Sequence, residues 1–214
     1  MGKEVIKVIR NIFNSLLEVI YPYENKCLIC GEENFIGICH CCKGKIKRST
    51  EEGSIISYGV YGGILKELIL MFKYKGNFTA GKILSDFLVE LIKERDIKVD
   101  YICYVPMTKR DKKKRGYNQC EIMAKNIRDN INVDISHCIK KVKNTKEQKR
   151  LNKEERINNV EGAFKVITDE VKGKNILLID DVVTTGSTIG ECIKNLEKLG
   201  AGKINVLTIA KSNI

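Results

Sequence analysis

The segment from Ile176 to Thr188 constrains this chain more than any other feature. It reads Ile-Leu-Leu-Ile-Asp-Asp-Val-Val-Thr-Thr-Gly-Ser-Thr. The four consecutive apolar residues predict a central parallel strand that is covered on both faces, and we expect this strand to end at Asp180 and Asp181. A small, hydroxyl-rich turn follows, and then a helix that begins near Ser187. The chain is therefore expected to build an α/β domain around this strand.

The turn from Thr184 to Thr188 has the composition of an anion-binding site. Gly186 lets the backbone turn so that successive N–H groups converge, and the helix that follows adds the positive end of its dipole. A phosphate would fit in this turn without any lysine. Hydroxyl donors come from four of its residues: Thr184, Thr185, Ser187 and Thr188.

The adjacent carboxylates of Asp180 and Asp181 point to a ligand beside this turn. Two ionised carboxylates repel each other, so we expect them to bind vicinal ribose hydroxyls or a divalent cation. The plainer alternative is a buried strand with two capping aspartates and a Thr/Ser N-cap, all of which are common in α/β proteins. The segment matches neither a Walker A loop nor a Rossmann fingerprint, because it lacks a Gly-Lys-Thr/Ser end and has one glycine in the turn.

At this spacing the whole segment resembles the phosphoribosyl-pyrophosphate (PRPP) signature of type I phosphoribosyltransferases. In that superfamily two aspartates hold the ribose 2- and 3-hydroxyls, and the following loop holds the 5-phosphate. The resemblance implies these roles for Asp180 and Asp181, and for the loop from Thr184 to Thr188.

Length and charge limit the possible classes of protein. With 214 residues the chain can form one ordinary domain and a small appendage. No stretch reaches the roughly eighteen consecutive apolar residues of a membrane span, and charged residues interrupt the N-terminal apolar positions, so we expect a cytoplasmic protein. The net charge of +11 favours phosphorylated small molecules or nucleic acid as partners. A lysine-rich proteome would raise the charge in the same way without creating a site.

Apolar spacing predicts an amphipathic helix over residues 3 to 20, a cysteine-rich module over residues 24 to 48, and alternating strands and helices beyond Ser54. We divide the chain into residues 1–50 and residues 51–214. Strands are predicted near Ser54–Val60, Tyr101–Val105, Val133–Ile139, Gly162–Ile167, Ile176–Ile179 and Ile204–Ala210. Helices are predicted near Gly63–Tyr74, Thr79–Glu94, residues 118–130 and Ser187–Leu199.

This alternation predicts a parallel sheet flanked by helices, with ligands bound beyond the carboxyl ends of the strands. Two basic stretches are predicted as loops at this edge. Lys109 to Arg115 begins three residues beyond a strand end, where a pyrophosphate would need neutralising. Lys140 to Asn159 is a candidate mobile loop, and Arg156 is its strongest candidate catalytic cation. Charge runs of this kind are more often simply solvated.

Five of the nine cysteines lie between Cys27 and Cys42. Cys27-x-x-Cys30 and Cys39-x-x-Cys42 form two knuckles separated by eight residues, a spacing that predicts one tetrahedral four-cysteine site. Structural Zn²⁺ fits best, because so short a segment with little apolar content needs a metal to fold. His40 and Cys41 are spare potential ligands, and an iron–sulfur cluster is a weaker alternative.

Beyond these motifs, nearly the whole chain from Cys27 to Lys211 resembles the ComF family of competence-protein-F-like proteins. The resemblance rests on the paired cysteine knuckles and on "FKYKGN" at Phe72 to Asn77. It continues through "RGYNQ" at Arg115 to Gln119 and "LLIDDVVTTGST" at Leu177 to Thr188. Two further matches are Val105-Pro106 and a spaced series made of Gln148, Leu151, Arg156, Asn159 and Ala163-Phe164.

The resemblance implies an N-terminal zinc module, a type I phosphoribosyltransferase domain, and PRPP binding with Mg²⁺. It implies catalytic roles for Asp180, Asp181 and Arg156. It also implies a role in DNA uptake or in the use of incoming DNA, with single-stranded DNA and competence proteins as candidate partners. The PRPP-binding residues that it implies are Pro106, Met107, Arg115, Asp180, Asp181, Val183, Thr184, Thr185, Gly186, Ser187 and Thr188.

The resemblance leaves the acceptor of the ribose open, and also whether any transfer occurs. One alternative is a PRPP-sensing adaptor that handles single-stranded DNA without catalysis, although an aromatic content of 7% and the absence of tryptophan argue against a base-stacking platform. Another is a scaffold with a vestigial nucleotide site.

Overall fold

The structure is a computed structural model, and it describes residues 25–50, 53–143, 145, 155 and 159–212. The chain divides into two compact units after Gly44, and the domain boundary expected at residues 50 and 51 stays a prediction. Three of the sequence predictions lie outside the described residues: the helix over residues 3–20, Arg156, and most of the second basic stretch.

The described part of the first unit is built from two tight turns and a short helix, α1 (His40–Gly44). The turns require Gly31 and Gly37, whose φ angles of 76° and 92° lie in the left-handed region that favours glycine. A parallel bridge joins Cys27 to Gly37, and the Leu28 N–H donates to the Gly37 carbonyl at 2.7 Å. Two tight turns therefore lie beside the cysteine knuckles.

The second unit contains a parallel sheet flanked by helices, as predicted. Its strands in chain order are β1 (Ile55–Val60), β2 (Tyr101–Tyr104), β3 (Ile139–Lys141), β4 (Phe164–Val166), β5 (Ile176–Val183) and β6 (Ile204–Lys211). Its helices are α2 (Gly63–Lys75), α3 (Phe78–Glu94), α4 (Lys109–Arg115), α5 (Gln119–Ile131) and α6 (Ser187–Lys198).

Four strands form the parallel sheet, in the order β1-β6-β5-β2. The apolar run of β5, Ile176 to Ile179, is fully buried at the centre of this sheet. Helix α3 packs against β1 and β6, whereas α5 packs against β2 and β5. Both helices begin at an asparagine N-cap, because the side chain of Asn77 accepts the Ala80 N–H and that of Asn118 accepts the Cys120 N–H.

The prediction that the central strand ends at Asp180 and Asp181 is wrong, because β5 continues to Val183. Strand β6 runs on to Lys211 and pairs Asp180 with Thr208 and Val183 with Lys211. The partner strand therefore supplies the ladder that the apolar run alone did not predict. As a result, the two carboxylates lie within the sheet and not in a loop.

Two further predictions are corrected. Lys109 to Arg115, which we expected to be a loop, is the helix α4. Between Val133 and Ile139 the chain hydrogen-bonds to β2 only around Ile102, through a single bridge at Ile135, so no strand forms there. The chain then enters β3, which pairs antiparallel with β4 as a separate two-stranded sheet.

Candidate functional site

A cleft of about 830 Å³ lies at the carboxyl edge of the parallel sheet. Every strand of that sheet contributes a residue beyond its end: Tyr61 follows β1, Met107 follows β2, Thr184 follows β5 and Ser212 follows β6. The carboxyl ends of parallel strands share one edge, so these four separated chain segments meet there.

Most residues that the sequence assigned to a ligand site line this cleft. They are Met107, Arg115, Asp180, Asp181, Val183, Thr184, Thr185, Gly186, Ser187 and Thr188. Pro106 is half-buried just beyond β2 and does not line the cleft. Arg156 lies outside the described residues. The structure therefore brings the DDVVTTGST segment and the end of α4 to one space.

The turn between β5 and α6 has the geometry of an anion cradle. Gly186 occupies the N-cap of α6 with φ 74°, in the left-handed region, and provides no side chain to cap the helix. The hydroxyls of Thr185 and Ser187 lie 2.7 Å apart, and the Gly190 N–H closes the first turn on the Gly186 carbonyl at 2.7 Å. Hydroxyl groups and the N-terminal N–H groups of the helix therefore face the cleft together.

Asp181 is held on the floor of the cleft by the protein itself. Its Oδ2 lies 2.5 Å from the Lys73 ammonium and accepts a hydrogen bond of 2.7 Å from the Gln119 amide. Its Oδ1 accepts the Val182 N–H at 2.7 Å. Burial alone would raise the pKa of Asp181, but the charge of Lys73 and the hydrogen bonds from Lys73, Gln119 and the Val182 N–H together outweigh it and lower that pKa below the ordinary value.

Asp180 has a different environment from its neighbour. Its Oδ1 accepts the Asp181 N–H at 2.9 Å and the Cys120 thiol at 3.5 Å. Burial, followed by the negative charge of Asp181, raises the pKa of Asp180 to about 7. The environment therefore favours the ionised form of Asp181 and the protonated form of Asp180.

Cations form one wall of the cleft. Helix α4 contributes Lys114 and Arg115 to it, and β3 contributes Lys141. Burial lowers the pKa of Lys141, whose ammonium donates to the Thr145 hydroxyl at 2.8 Å. The two aspartates and the hydroxyl-rich turn line the same cleft, which therefore combines cations, carboxyl groups and an anion cradle.

The main site residue that sequence reasoning missed is Lys73. It stands in the Phe72–Asn77 motif, to which no chemical role was assigned. A signal was present, since Lys73 follows Leu65 and Ile69 at successive spacings of four and so lies on the apolar face of α2. A lysine on a buried helix face needs an anionic partner, and here Asp181 provides it.

The first unit brings the four predicted cysteines together. The Sγ atoms of Cys27, Cys30, Cys39 and Cys42 all lie within 4.8 Å of one another, which is the arrangement of a site that could hold one metal ion. The Cys39 N–H donates to the Cys27 sulfur at 3.3 Å, and the Cys42 N–H donates to the Cys39 sulfur at 3.4 Å. His40 and Cys41 are exposed and do not belong to this cluster.

One of these thiols is poised to bind a metal as a thiolate. Burial would raise the pKa of Cys27, but hydrogen bonds from the Cys30 and Cys39 backbone outweigh it and lower that pKa to about 6. The thiolate is the form that binds a metal, so the lowered pKa of Cys27 favours metal binding at this cluster.

Comparisons with known proteins match one domain family and several proteins that are similar over most of the chain. The model of the phosphoribosyl transferase domain family matches residues 113–214. Competence protein F of Haemophilus influenzae is 29% identical over 200 residues, which cover 90% of this chain and 86% of that protein. Competence protein ComFC of Bacillus subtilis is 27% identical, covering 87% and 78% of the two chains. DNA utilization protein YhgH of Escherichia coli is 26% identical, covering 74% and 72%.

The solved structures that match this chain include an adenine phosphoribosyltransferase. Its TM-score is 0.41 at 15% identity, and the match covers 68% of this chain and 75% of that one. A purine phosphoribosyltransferase from Pyrococcus horikoshii has a TM-score of 0.37 at 21% identity, covering 60% and 70%.

None of the helices in the described ranges combines the length and apolar character that crossing a membrane requires.

Proposed function

We propose that this chain is a member of the ComF family whose cleft binds PRPP together with Mg²⁺, since it is similar to competence protein F and to ComFC over most of its length and matches the phosphoribosyl transferase domain family over residues 113–214. The observation that carries the proposal is the meeting of three chemically different groups in one space. A hydroxyl-rich helix N-terminus suits the 5-phosphate, carboxyl groups suit the vicinal ribose hydroxyls, and a wall of cations suits the pyrophosphate.

The groups also follow an order that matches the order of the ligand's parts. The turn from Thr184 to Thr188 would bind the 5-phosphate, and Asp180 and Asp181 lie in β5, separated from this turn by two valines. Lys114 and Arg115 reach the cleft from α4, which follows β2 in the chain, and the pyrophosphate would extend towards them. The volume of about 830 Å³ leaves room for a second molecule beside PRPP.

The donor set of the cleft suits Mg²⁺ that arrives with its ligand. Mg²⁺ prefers oxygen ligands and keeps several from water and phosphate, so one free carboxylate is enough on the protein side. Asp180 is the candidate, because Asp181 already binds Lys73 and Gln119. When bound, Mg²⁺ would neutralise charge on the departing pyrophosphate.

In a transfer reaction the bond between the anomeric carbon and the pyrophosphate oxygen would break, and the acceptor would form the new bond at that carbon. Lys114, Arg115 and Lys141 would stabilise the negative charge that develops on the leaving pyrophosphate. The carboxyl groups would hold the ribose by its hydroxyls while the ring becomes oxocarbenium-like. The role of Arg156 as a further cation stays a prediction.

We test this function by ligand protection against thermal unfolding. At about one hundred times its Kd, PRPP with Mg²⁺ should add roughly 2.7 kcal/mol to the free energy of unfolding and so raise Tm by about 5 to 10 °C. Ribose 5-phosphate and pyrophosphate, added separately, should each protect less because each fills part of the cleft. An unchanged Tm with PRPP and Mg²⁺ would contradict the proposal.

Whether the bound PRPP is consumed is a separate question. An active phosphoribosyltransferase should release pyrophosphate from PRPP with Mg²⁺ and a cellular nucleophile, and Asp181→Asn should abolish this release. Protection by PRPP without pyrophosphate release across a broad screen of nucleobases and amines would favour a non-catalytic role.

A PRPP-sensing adaptor that handles single-stranded DNA is the second candidate. It is favoured by the part of α4 that does not line the cleft, where Lys109, Arg110 and Lys113 are exposed. The relatives named competence proteins and DNA utilization proteins support a role of this chain in the uptake or use of DNA. Affinity for single-stranded DNA should then fall steeply with salt and change when PRPP is added.

We further propose that the metal of the four-cysteine cluster is structural Zn²⁺. Four thiolates around one ion leave no open position for a substrate, which is the arrangement of structural and not catalytic zinc sites. Three of the four cysteines are buried, at 3% to 4% exposure, so the ion would be shielded from solvent.

A further inference from the structure

Two sequence motifs, Phe72–Asn77 and Arg115–Gln119, contact each other beside the cleft. The Tyr117 ring stacks on Phe72 with centroids 5.4 Å apart, and its hydroxyl donates to the Phe72 carbonyl. The Arg115 guanidinium lies 5.6 Å from the centre of the Tyr74 ring. The end of α2 is therefore joined to the Arg115–Gln119 segment by aromatic contacts on both sides of Lys73.

Between these aromatic pairs, Lys73 and Gln119 converge on one oxygen of Asp181. The ammonium lies 2.5 Å from Oδ2, and the amide donates to the same oxygen at 2.7 Å. Arg115 donates to the Gln119 carbonyl oxygen at 2.6 Å, which turns the amide NH₂ group towards Asp181. A continuous chain of contacts thus runs from Arg115 through Gln119 to Asp181.

These contacts use the hydrogen-bonding capacity of Asp181 on the inside of the protein. Oδ2 is shared by two donors and Oδ1 accepts the Val182 N–H, while the side chain is 11% exposed. Among the described residues, no lysine or arginine pairs with Asp180, whose Oδ1 binds a backbone N–H and a thiol. The two adjacent aspartates are therefore not equivalent.

We propose that Lys73 and Gln119 are positioning residues that hold Asp181 as an anion in a single orientation. Asp180 then remains as the carboxylate that takes the hydroxyls of the ligand, a part of the inference that rests on the proposed function. A buried carboxylate without a cation would be protonated or would turn away, and either change would disturb its neighbour on the same strand.

A double-mutant cycle on PRPP affinity tests whether Lys73 acts through Asp181. Lys73→Met and Asp181→Asn should each weaken binding by about tenfold or more, since each leaves one buried partner unpaired. The double variant should be within about twofold of the weaker single variant, because the interaction is already lost. Lys73→Arg should restore most of the affinity. Lys75→Met removes an exposed cation of the same helix that does not line the cleft, and should leave affinity unchanged.

The opposite results would overturn the inference. Losses that add in the double variant would mean that Lys73 contacts the ligand directly. An arginine variant as weak as the methionine variant would also contradict a charge-based positioning role. The same cycle is measured by thermal unfolding without ligand, where additive changes in Tm would refute the pairing itself.

Failure of the proposed function gives a different pattern. Wild-type protein that binds no PRPP would overturn the function and the ligand role of Asp180 together. Wild-type protein that binds PRPP with an additive cycle would overturn only the positioning role. In both cases the unfolding cycle decides whether Lys73 and Asp181 form a coupled pair.

Discussion

At the floor of the cleft, Asp180 and Asp181 are neighbours in sequence but differ in charge. Lys73 stabilises the ionised form of Asp181, whereas burial and that fixed negative charge favour the protonated form of Asp180. A carboxyl group with a pKa of about 7 can release its proton when a ligand's hydroxyls approach. The pair thus combines a fixed anion with a group that responds to its surroundings.

This difference predicts how stability depends on pH. The folded-state pKa of Asp180 is raised above its usual value of 3.8, so its ionisation costs stability as pH rises towards and through 7. Asp180→Asn removes this cost. We therefore expect the Tm of the variant to exceed that of the wild type by a few degrees at about pH 8, by about half as much at about pH 5.5, and by very little at about pH 4.

Both proteins are measured without ligand and at the same pH. The contributions of the other titrating groups, Cys27 among them, are then the same in both and cancel in the Tm difference. A Tm difference that stays constant across this range, or that grows as pH falls, would show that Asp180 does not carry a raised pKa.

Sequence reasoning predicted the identity of these carboxyl groups but not their inequality. The order Asp-Asp is visible in the chain, whereas the partner of Asp181 comes from α2, more than one hundred positions earlier. The lysine could have been found from its place on an apolar helix face. The sequence could not show that Lys73 pairs with Asp181 and not with Asp180. Adjacent residues of a strand face opposite ways, and the predicted strand ended before the two aspartates, so their directions were not predicted.

Among the secondary-structure elements, α4 was the one predicted wrongly as a loop. Six of its seven residues are charged cations, so it has no apolar period from which a helix could be recognised. The N-cap defines where the helix begins: the Thr108 side chain accepts the Asp111 N–H, and its hydroxyl donates to the Asp111 carboxylate at 2.8 Å. Thr108 followed by Asp111 has the spacing of a capping box, and this was the available signal.

Because α4 is a helix, it divides its cations between the cleft and solvent. Both Lys113 and Lys114 are exposed, but Lys114 lines the cleft and Lys113 does not. We expect Lys114→Ala to weaken PRPP binding by about tenfold, the loss typical of one charge-assisted contact. Lys113→Ala should change affinity by no more than about twofold.

Both variants remove one positive charge from the same helix, so titrations at equal ionic strength separate a contact from a general field. Equal losses in the two variants would refute a direct role of Lys114. A loss of DNA affinity in Lys113→Ala alone would instead support the adaptor function.

The cysteine knuckles allow an equally matched comparison. Cys42 is buried within the four-sulfur cluster, whereas Cys41 is exposed and outside it. Cys42→Ser should lose most of the bound zinc, because three thiolates hold the ion less tightly and leave a position open to water. Cys41→Ser should retain one zinc ion per chain.

Elemental analysis of the purified proteins measures both the amount and the identity of the metal. Iron in place of zinc would contradict the structural assignment. Zinc retained by Cys42→Ser but lost from Cys41→Ser would show that the ligand set is different.

At the scale of the whole molecule, the parallel sheet was predictable and its edges were not. The buried apolar runs at Ile176–Ile179 and in β6 identify the central strands, and they can be recognised without knowing which strands lie beside them. Strands β3 and β4 have three residues each, and their antiparallel pairing depends on contacts across the chain that no local period records. The cleft follows from the predictable part, because every parallel strand delivers one residue to the same edge.

Calorimetric titration of the full chain with PRPP in the presence of Mg²⁺ measures directly whether the cleft binds PRPP. We expect one PRPP bound per chain, with binding that weakens sharply without Mg²⁺ and in Asp180→Asn. Heats that equal those of dilution, with Mg²⁺ present and the protein folded, would contradict it.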